Sequence, residues 1–413
     1  MNAVSSLALA YANAVEPTPD HLMTGFPPAP SQRVTWANWM APPFNRWGFR
    51  HLQQLRPTIT VAAGQGPVAT LQDASVGLEG FAFESTCGQA VTLAQHLFAS
   101  HTDGFLVMQG DEVRYERYFN GQQPNDRHIM FSVTKSLIGT LAEQLIADGT
   151  LAPQSMASRY VPEFVGSAFA EATVRQLLDM SIGIDYTEQY DDPCSESSLF
   201  GYACGFMPTP AGVPAFESLY TFLPTLRQRG EHGGRFHYVT ATTEALAWVM
   251  ERAAGQSCAQ LLAPVWAALG CQRDAYFMAD PWGRPVAGAG FNATLRDMAR
   301  LGRLLANRGE CNGMQLLPAA VIDGIAKGAD PQVYAANQDF SQWTPGASYR
   351  SQWYVFNDHS RALMAGGIHG QYLFVDLPSR TVIVKQSSLP TAVGDFDADS
   401  VRLMRALAAH FTR

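Results

Sequence analysis

Apolar positions recur along this chain with two different periods, and the change of period divides it. Gly104-Phe105-Leu106-Val107-Met108-Gln109 is an apolar run ended by Gly110-Asp111. From Glu112 to Tyr118 apolar and charged residues then largely alternate. The pair predicts a hairpin whose second strand has one wet face. Past Ser132 the spacing lengthens: Leu137, Ile138, Leu141, Leu145 and Ile146 fall on one helical face until Asp148-Gly149. Further helices are predicted over residues 173–180, 240–254, 259–269 and 294–307, the last opened by Thr294-Leu295-Arg296-Asp297 as a capping box. Strand signals return only in the last part of the chain, with Gln371 to Asp376, a Pro378-Ser379 turn, and Thr381 to Lys385. A helix over 397–411 follows, with Val401, Met404, Leu407, Ala408 and Phe411 on one face.

Strands near both ends with helices between them predict an α/β (α+β) fold. One antiparallel sheet is assembled from both chain ends, with flanking helices and an inserted, mostly helical lobe. The expected boundaries are an extended arm over 1–32, rich in Pro, Ala and Ser. A discontinuous sheet domain covers 33–131 and 346–413, and the lobe covers 132–345. No internal repeat or low-complexity tract interrupts this scheme.

Composition narrows the function classes. At 413 residues, 47% hydrophobic and 15% charged, the chain has the make-up of a globular enzyme with a large core. A net charge of −8 argues against nucleic acid and anionic membranes as partners, since both need a basic face. No apolar run reaches the ~18 to 20 residues of a membrane span. Residues 1–16 have no Lys or Arg ahead of Leu7-Ala8-Leu9-Ala10 and make a poor secretory signal. Six cysteines without metal-knuckle spacing read as mostly buried free thiols. The cytoplasm is the expected compartment, with a periplasmic or secreted location left open.

Candidate chemistry enters with lysine. Of 28 Lys plus Arg only three are lysine, namely Lys135, Lys327 and Lys385. Arginine stays protonated, whereas a desolvated lysine can act as a base. Lys135 lies three residues after Ser132 at the predicted start of a helix, which puts both side chains on one face. The helix N-terminus favours a developing oxyanion at that serine. The plainer alternative is that Ser132 is only an N-cap.

Downstream come Tyr238-Val239-Thr240 ahead of a helix and Gly366-Gly367-Ile368-His369-Gly370-Gln371 leading into a strand. Ser-x-x-Lys, then Tyr-x-(Asn/Ser/Thr), then a late glycine-rich strand segment resembles the serine β-lactamase and penicillin-binding superfamily over roughly residues 80–411. Thr173 to Gly183, and Gly288 to Thr294 with Asp297 to Arg300, resemble its connecting segments. Within it the chain is most similar to class C-like esterases and 6-aminohexanoate-dimer (nylon oligomer) hydrolases. The residues that carry this are Trp47 to His51, Asp185 to Pro193, and Gly367 to Gln371.

The resemblance implies Ser132 as acylated nucleophile, Lys135 as its activator and Tyr238 as proton shuttle to the leaving group. It implies an oxyanion hole from the Ser132 N–H and a backbone N–H within Ile368, His369 and Gly370. It also implies substrate contacts from Tyr190, and Tyr186 and Thr240 are further candidates. Two departures stand out. Position 240 is threonine where asparagine is usual, and the late motif lacks the Lys-Thr-Gly that grips a carboxylate. Two bland alternatives remain open: Tyr238 as a core aromatic, and His369 as a strand histidine bonded to backbone.

The irregular stretch 181–236, with Tyr186, Tyr190, Phe200, Tyr202, Phe206, Phe216, Tyr220 and Phe222, is expected to wall the substrate pocket, although half of these aromatics could equally be ordinary core. Asp185, Glu188, Asp191, Asp192 and Glu196 could draw an amine-bearing substrate or simply face water. Asp179 to Gly183 lacks the first glycine of an α/β-hydrolase elbow. Gly288-x-Gly290 has no βαβ unit around it, so a dinucleotide site is not expected. His96 and His101 do not share a helical face, and no metal is expected.

The expectation is a cofactor-free serine hydrolase acting on a small-molecule ester or amide, with homodimerisation left open. A β-lactamase or D-amino-acid peptidase is the alternative and would need a cation near the late strand, for which Arg361 is the nearest candidate. A non-catalytic binding module is the third reading.

Overall fold

The computed structural model describes residues 3–187, 192–356, 358 and 361–412. Helix α1 spans Ala3–Ala12. Strands β1 (Thr58–Val61), β2 (Gln72–Asp73), β3 (Thr102–Gln109), β4 (Glu112–Tyr118) and β5 (His128–Ile129) precede helix α2 (Val133–Ala147). Helix α3 (Thr240–Ala254), strands β6 (Ala275–Met278) and β7 (Phe291–Ala293), and helix α4 (Leu295–Ala306) follow. Strands β8 (Ala347–Arg350), β9 (Trp353–Phe356), β10 (Ala362–Gly367), β11 (Gln371–Asp376) and β12 (Thr381–Ser387) come next, and then helix α5 (Phe396–Thr412).

The two predicted hairpins meet in one eight-stranded sheet of order β8-β9-β10-β11-β12-β3-β4-β2. The seam is β12 against β3, antiparallel, with Val382 opposite Met108 and Lys385 opposite Phe105. Only the short β2 runs parallel to its neighbour. Alternate residues feed two cores. Leu106, Met108, Val382 and Val384 pack with Leu295 and Leu301 of α4 on one face. Phe105, Val107 and Ile383 pack with Val401 and Leu403 of α5 on the other. Burial on both faces is why these strands read as continuous apolar runs.

The single wet face expected of β4 is not what forms. Val113 and Tyr115, two residues apart, enter opposite cores. The cause is a bulge: Val107 pairs with Tyr115 and Met108 with Val113, leaving Arg114 unopposed.

A second sheet, β1-β6-β7-β5, draws strands from the segment expected to be helical. Its strands are two to four residues long and mostly buried, too short for an alternating pattern to register. Residues 3–12 of the expected extended arm are helix. Leu7 and Tyr11, four apart on one face of α1, are buried in the core beneath α5. The Tyr11 hydroxyl donates to Asp399 at 2.8 Å and lies 3.0 Å from His96 Nδ1. His96 is thereby a core histidine, fully buried, with its other ring nitrogen 3.0 Å from Ser400 Oγ. Among the described residues no helix is long and apolar enough to cross a membrane, and no His/Cys/Asp/Glu group could hold a metal ion.

Candidate active site

The small sheet sets the approach to Ser132. Ile129 N–H donates to Phe49 O at 2.9 Å, and Met130 N–H to Phe291 O of β7 at 2.8 Å. Phe131 then takes a positive φ of 43°, unusual for a bulky side chain, with its ring packed 5.0 Å from Phe49 and 5.5 Å from His369. This kink starts α2 with Ser132 at its N-terminal boundary. The Ser132 hydroxyl makes no capping bond to the helix. Its Oγ instead accepts a hydrogen bond from Lys135 Nζ at 2.9 Å, so the plain N-cap reading does not describe it.

Lys135 is 1% exposed. Its Nζ also donates to Gly288 O at 2.8 Å and lies 5.1 Å from the centre of the Tyr238 ring. Helix α2 is wedged in place. A Cβ on Gly139 would come within 2.0 Å of Ser351 O, and Ser136 Oγ donates to Gln352 O at 2.6 Å. Tyr238 precedes α3, stacked on Phe340 at 4.8 Å and edge-on to Tyr349 at 6.3 Å. It is half-buried and shares with Ser132 the wall of one cavity, so packing and access to the site coexist.

The late segment closes on Ser132. A Cβ on Gly367, at the end of β10, would lie 3.1 Å from Ser132 N and 2.6 Å from Met130 O, so only glycine allows this approach. The following turn holds His369 at φ 60° and Gly370 at φ 85°. His369 donates its backbone N–H to Ala392 O at 2.8 Å, and its Nδ1 lies 2.7 Å from Leu389 O. Burial pushes the imidazole down to about 4, so the ring is neutral and anchors the turn. The His369 N–H is thus spent on Ala392 O. Gln371 braces the same turn, its Nε2 donating to His369 O at 3.1 Å and Ser387 O at 2.7 Å. Lys385, 1% exposed, donates to Ser387 Oγ at 3.0 Å, and desolvation brings its amine down to about 7.

Ser132, Tyr238, Gly367 and Ile368 line a cavity of about 660 Å³. Phe340, Trp343, Tyr354 and Tyr372 supply its aromatic wall, Leu7 of α1 reaches its edge, and Asp339, Asp395 and Asp397 are its acids. Asp397 accepts from Tyr372 Oη at 2.5 Å and Gly394 N at 2.9 Å, and desolvation raises its carboxyl above the usual range.

The stretch 181–236 does not provide this wall among its described residues. Tyr186, Phe200, Phe206 and Phe222 are buried in the core, because the same aromatic character that suits a pocket also suits packing. Thr240 is likewise buried, its methyl group facing Gly288. Tyr190 lies outside the described residues. Asp185 pairs with Arg229 at 3.0 Å and Glu196 accepts from Thr187 Oγ1 at 2.9 Å, so these acids are used locally. Arg361 is exposed and precedes β10, at the end opposite Gly367.

One buried group escaped the sequence reading. Glu244, inside α3 and 4% exposed, accepts the Gly288 N–H at 2.7 Å and the Ala287 N–H at 3.0 Å. No local motif signals it, since its partners lie over forty residues away.

Comparison with known proteins gives the family. Residues 92–408 match the family model described as Beta-lactamase. Over 367 residues the chain is 36% identical to a 6-aminohexanoate-dimer hydrolase of Paenarthrobacter ureafaciens, covering 88% of this chain and 91% of that one. A solved Bacillus anthracis structure named for 6-aminohexanoate-dimer hydrolysis superposes with a TM-score of 0.84 at 28% identity, over 93% of this chain and 98% of the other. A family VIII carboxylesterase shares the fold, with a TM-score of 0.53 at 17% identity over 75% and 92% of the two chains. On this span and this identity, the chain belongs to the beta-lactamase family and is a serine hydrolase.

Proposed function

We propose that the protein cleaves a secondary amide of the 6-aminohexanoate type, and short-chain carboxylic esters, through an acyl-enzyme on Ser132. The observation that carries this reading is the 2.9 Å bond from Lys135 Nζ to Ser132 Oγ at the wall of a cavity shared with Tyr238. Ser132 Oγ attacks the carbonyl carbon while its proton passes to Lys135. Tyr238 relays a proton to the leaving nitrogen or oxygen, the C–N or C–O bond breaks, and the acyl group stays on Ser132. The Ser132 N–H and the Ile368 N–H hold the oxyanion. A water molecule, deprotonated through Tyr238 and Lys135, then releases the acid.

The substrate class follows from the 36% identical relative and from the cavity itself, an aromatic wall with Asp339, Asp395 and Asp397 that suits an alkyl chain bearing an amine. Six free cysteines, four of them buried, favour the cytoplasm as its compartment.

The test is hydrolysis of the linear 6-aminohexanoate dimer and of p-nitrophenyl butyrate by wild type beside Ser132→Ala. Turnover of both by wild type and of neither by the variant is expected. Equal rates in the two proteins would remove Ser132 from the reaction.

A further inference from the structure

We propose that Glu244 is a positioning residue for this reaction: through the Ala287–Gly288 turn it fixes the carbonyl that holds Lys135 against Ser132. This rests on the assignment of Ser132 and Lys135 above. The chain of contacts is short. Both carboxylate oxygens accept backbone N–H groups, from Gly288 at 2.7 Å and Ala287 at 3.0 Å. The carbonyl of the same Gly288 accepts from Lys135 Nζ at 2.8 Å, and that amine donates to Ser132 Oγ at 2.9 Å.

The turn can approach the helix only because residue 288 is glycine. A Cβ there would meet Thr240 Cγ2 at 2.8 Å and Glu244 Oε1 at 3.0 Å. Helix α3 also follows directly on Tyr238. One rigid element therefore sets the spacing between the proton relay and the acceptor that orients the base.

A carboxylate is an expensive choice for a fully buried position. An apolar residue would pack there but leave two N–H groups unsatisfied. The charge has a second effect, because an anion behind Lys135 favours its ammonium form. Burial raises the Glu244 carboxyl, but both of its oxygens accept N–H groups and Lys135 lies close by, so this geometry holds the carboxylate form. The other titratable groups near it are Asp280, Cys204 and Cys258. Asp280 is itself tied to the N–H groups of Leu219, Trp282 and Arg284. On the Lys135 side the facing titratable group is Tyr238.

The experiment compares Glu244→Gln and Glu244→Asp with wild type, using Glu251→Gln as a control. Glu251 is another acid of α3, half-buried, whose carboxylate oxygens accept from Tyr220 and Cys258. Active sites are counted by stoichiometric labelling with a fluorophosphonate, and kcat and KM for p-nitrophenyl butyrate are measured across pH. Labelling of wild type that is absent in Ser132→Ala tests the nucleophile separately.

E244Q is expected to lose about ten- to a hundredfold in kcat per labelled site, with little change in KM. Its acid limb should move to lower pH, because the anion that favours the ammonium is gone. E244D keeps the charge but not the reach, so it should lose kcat while its acid limb stays near wild type. E251Q should lose stability alone. An unchanged acid limb and unchanged kcat per site in E244Q would overturn the proposal. So would failure of both Glu244 variants to fold, since the residue would then be structural.

Discussion

The eight-stranded sheet is paired over registers of up to seven residues and buried on both faces, whereas the four-stranded sheet is joined over two to four residues. Yet the smaller sheet ends next to the Ser132 turn, and the larger sheet meets that turn at the tip of β10 and through Gln386 of β12. Extensive pairing gives the molecule its bulk stability. Ser132 and Lys135 are placed by a few long-range bonds, Met130 to Phe291 and Lys135 to Gly288, that contribute little area but fix direction. Stability and activity should therefore be separable by mutation.

The sharpest separation is Ser132→Ala. Activity should fall by about 10⁴-fold or more while thermal unfolding stays near wild type, read by ester hydrolysis beside calorimetry. Next is Lys135→Arg, which keeps the charge but cannot surrender its proton. Turnover should drop on the order of 10³-fold and should not recover as pH is raised; recovery at high pH would contradict the base role.

The seam between the two regions should respond to acid. His369 is held neutral with its pKa lowered to about 4, so its contribution to stability is complete above the unfolded value of 6.5. It is lost as pH falls through that window, because the unfolded chain takes up a proton the folded one refuses. The loss should reach about 3 kcal/mol. His369→Asn, which tolerates the positive φ, should flatten the stability curve between pH 6.5 and pH 4.

The smallest effects sharpen the contrast most directly. Gly139→Ala places a Cβ 2.0 Å from Ser351 O beside α2, and Gly302→Ala places one 2.3 Å from Val382 Cγ1 beneath the large sheet. Each should cost about 1–3 kcal/mol in denaturant unfolding. Only the Gly139 variant should also lose turnover per folded molecule.

Legibility in the sequence followed the same division. The two long hairpins, α2, α3, α4 and α5 have enough residues for a period to show, and Ser132 with Lys135 is a local pair on one helix. The strands of the small sheet do not reach the length at which alternation can be told from chance. Helix α1 presents Leu7 and Tyr11 among alanines and serines, and the proline-rich stretch after it suggested an extended arm. Glu244 was illegible for a different reason: a buried acid inside an apolar helix announces itself only through its distant partners. The aromatics of 181–236 misled because bulk and apolarity serve a core as well as a pocket.

The distribution of lysine has a practical consequence. Lys135 and Lys385 are sealed from solvent, and Lys327, past the end of the helix Ala319–Ala326, is the exposed one. Arginine supplies the remaining surface cations and is inert to acylating reagents that capture primary amines. Mild amine-directed coupling would therefore find one lysine side chain open to it, Lys327, and would leave Lys135 and Lys385 untouched inside the fold.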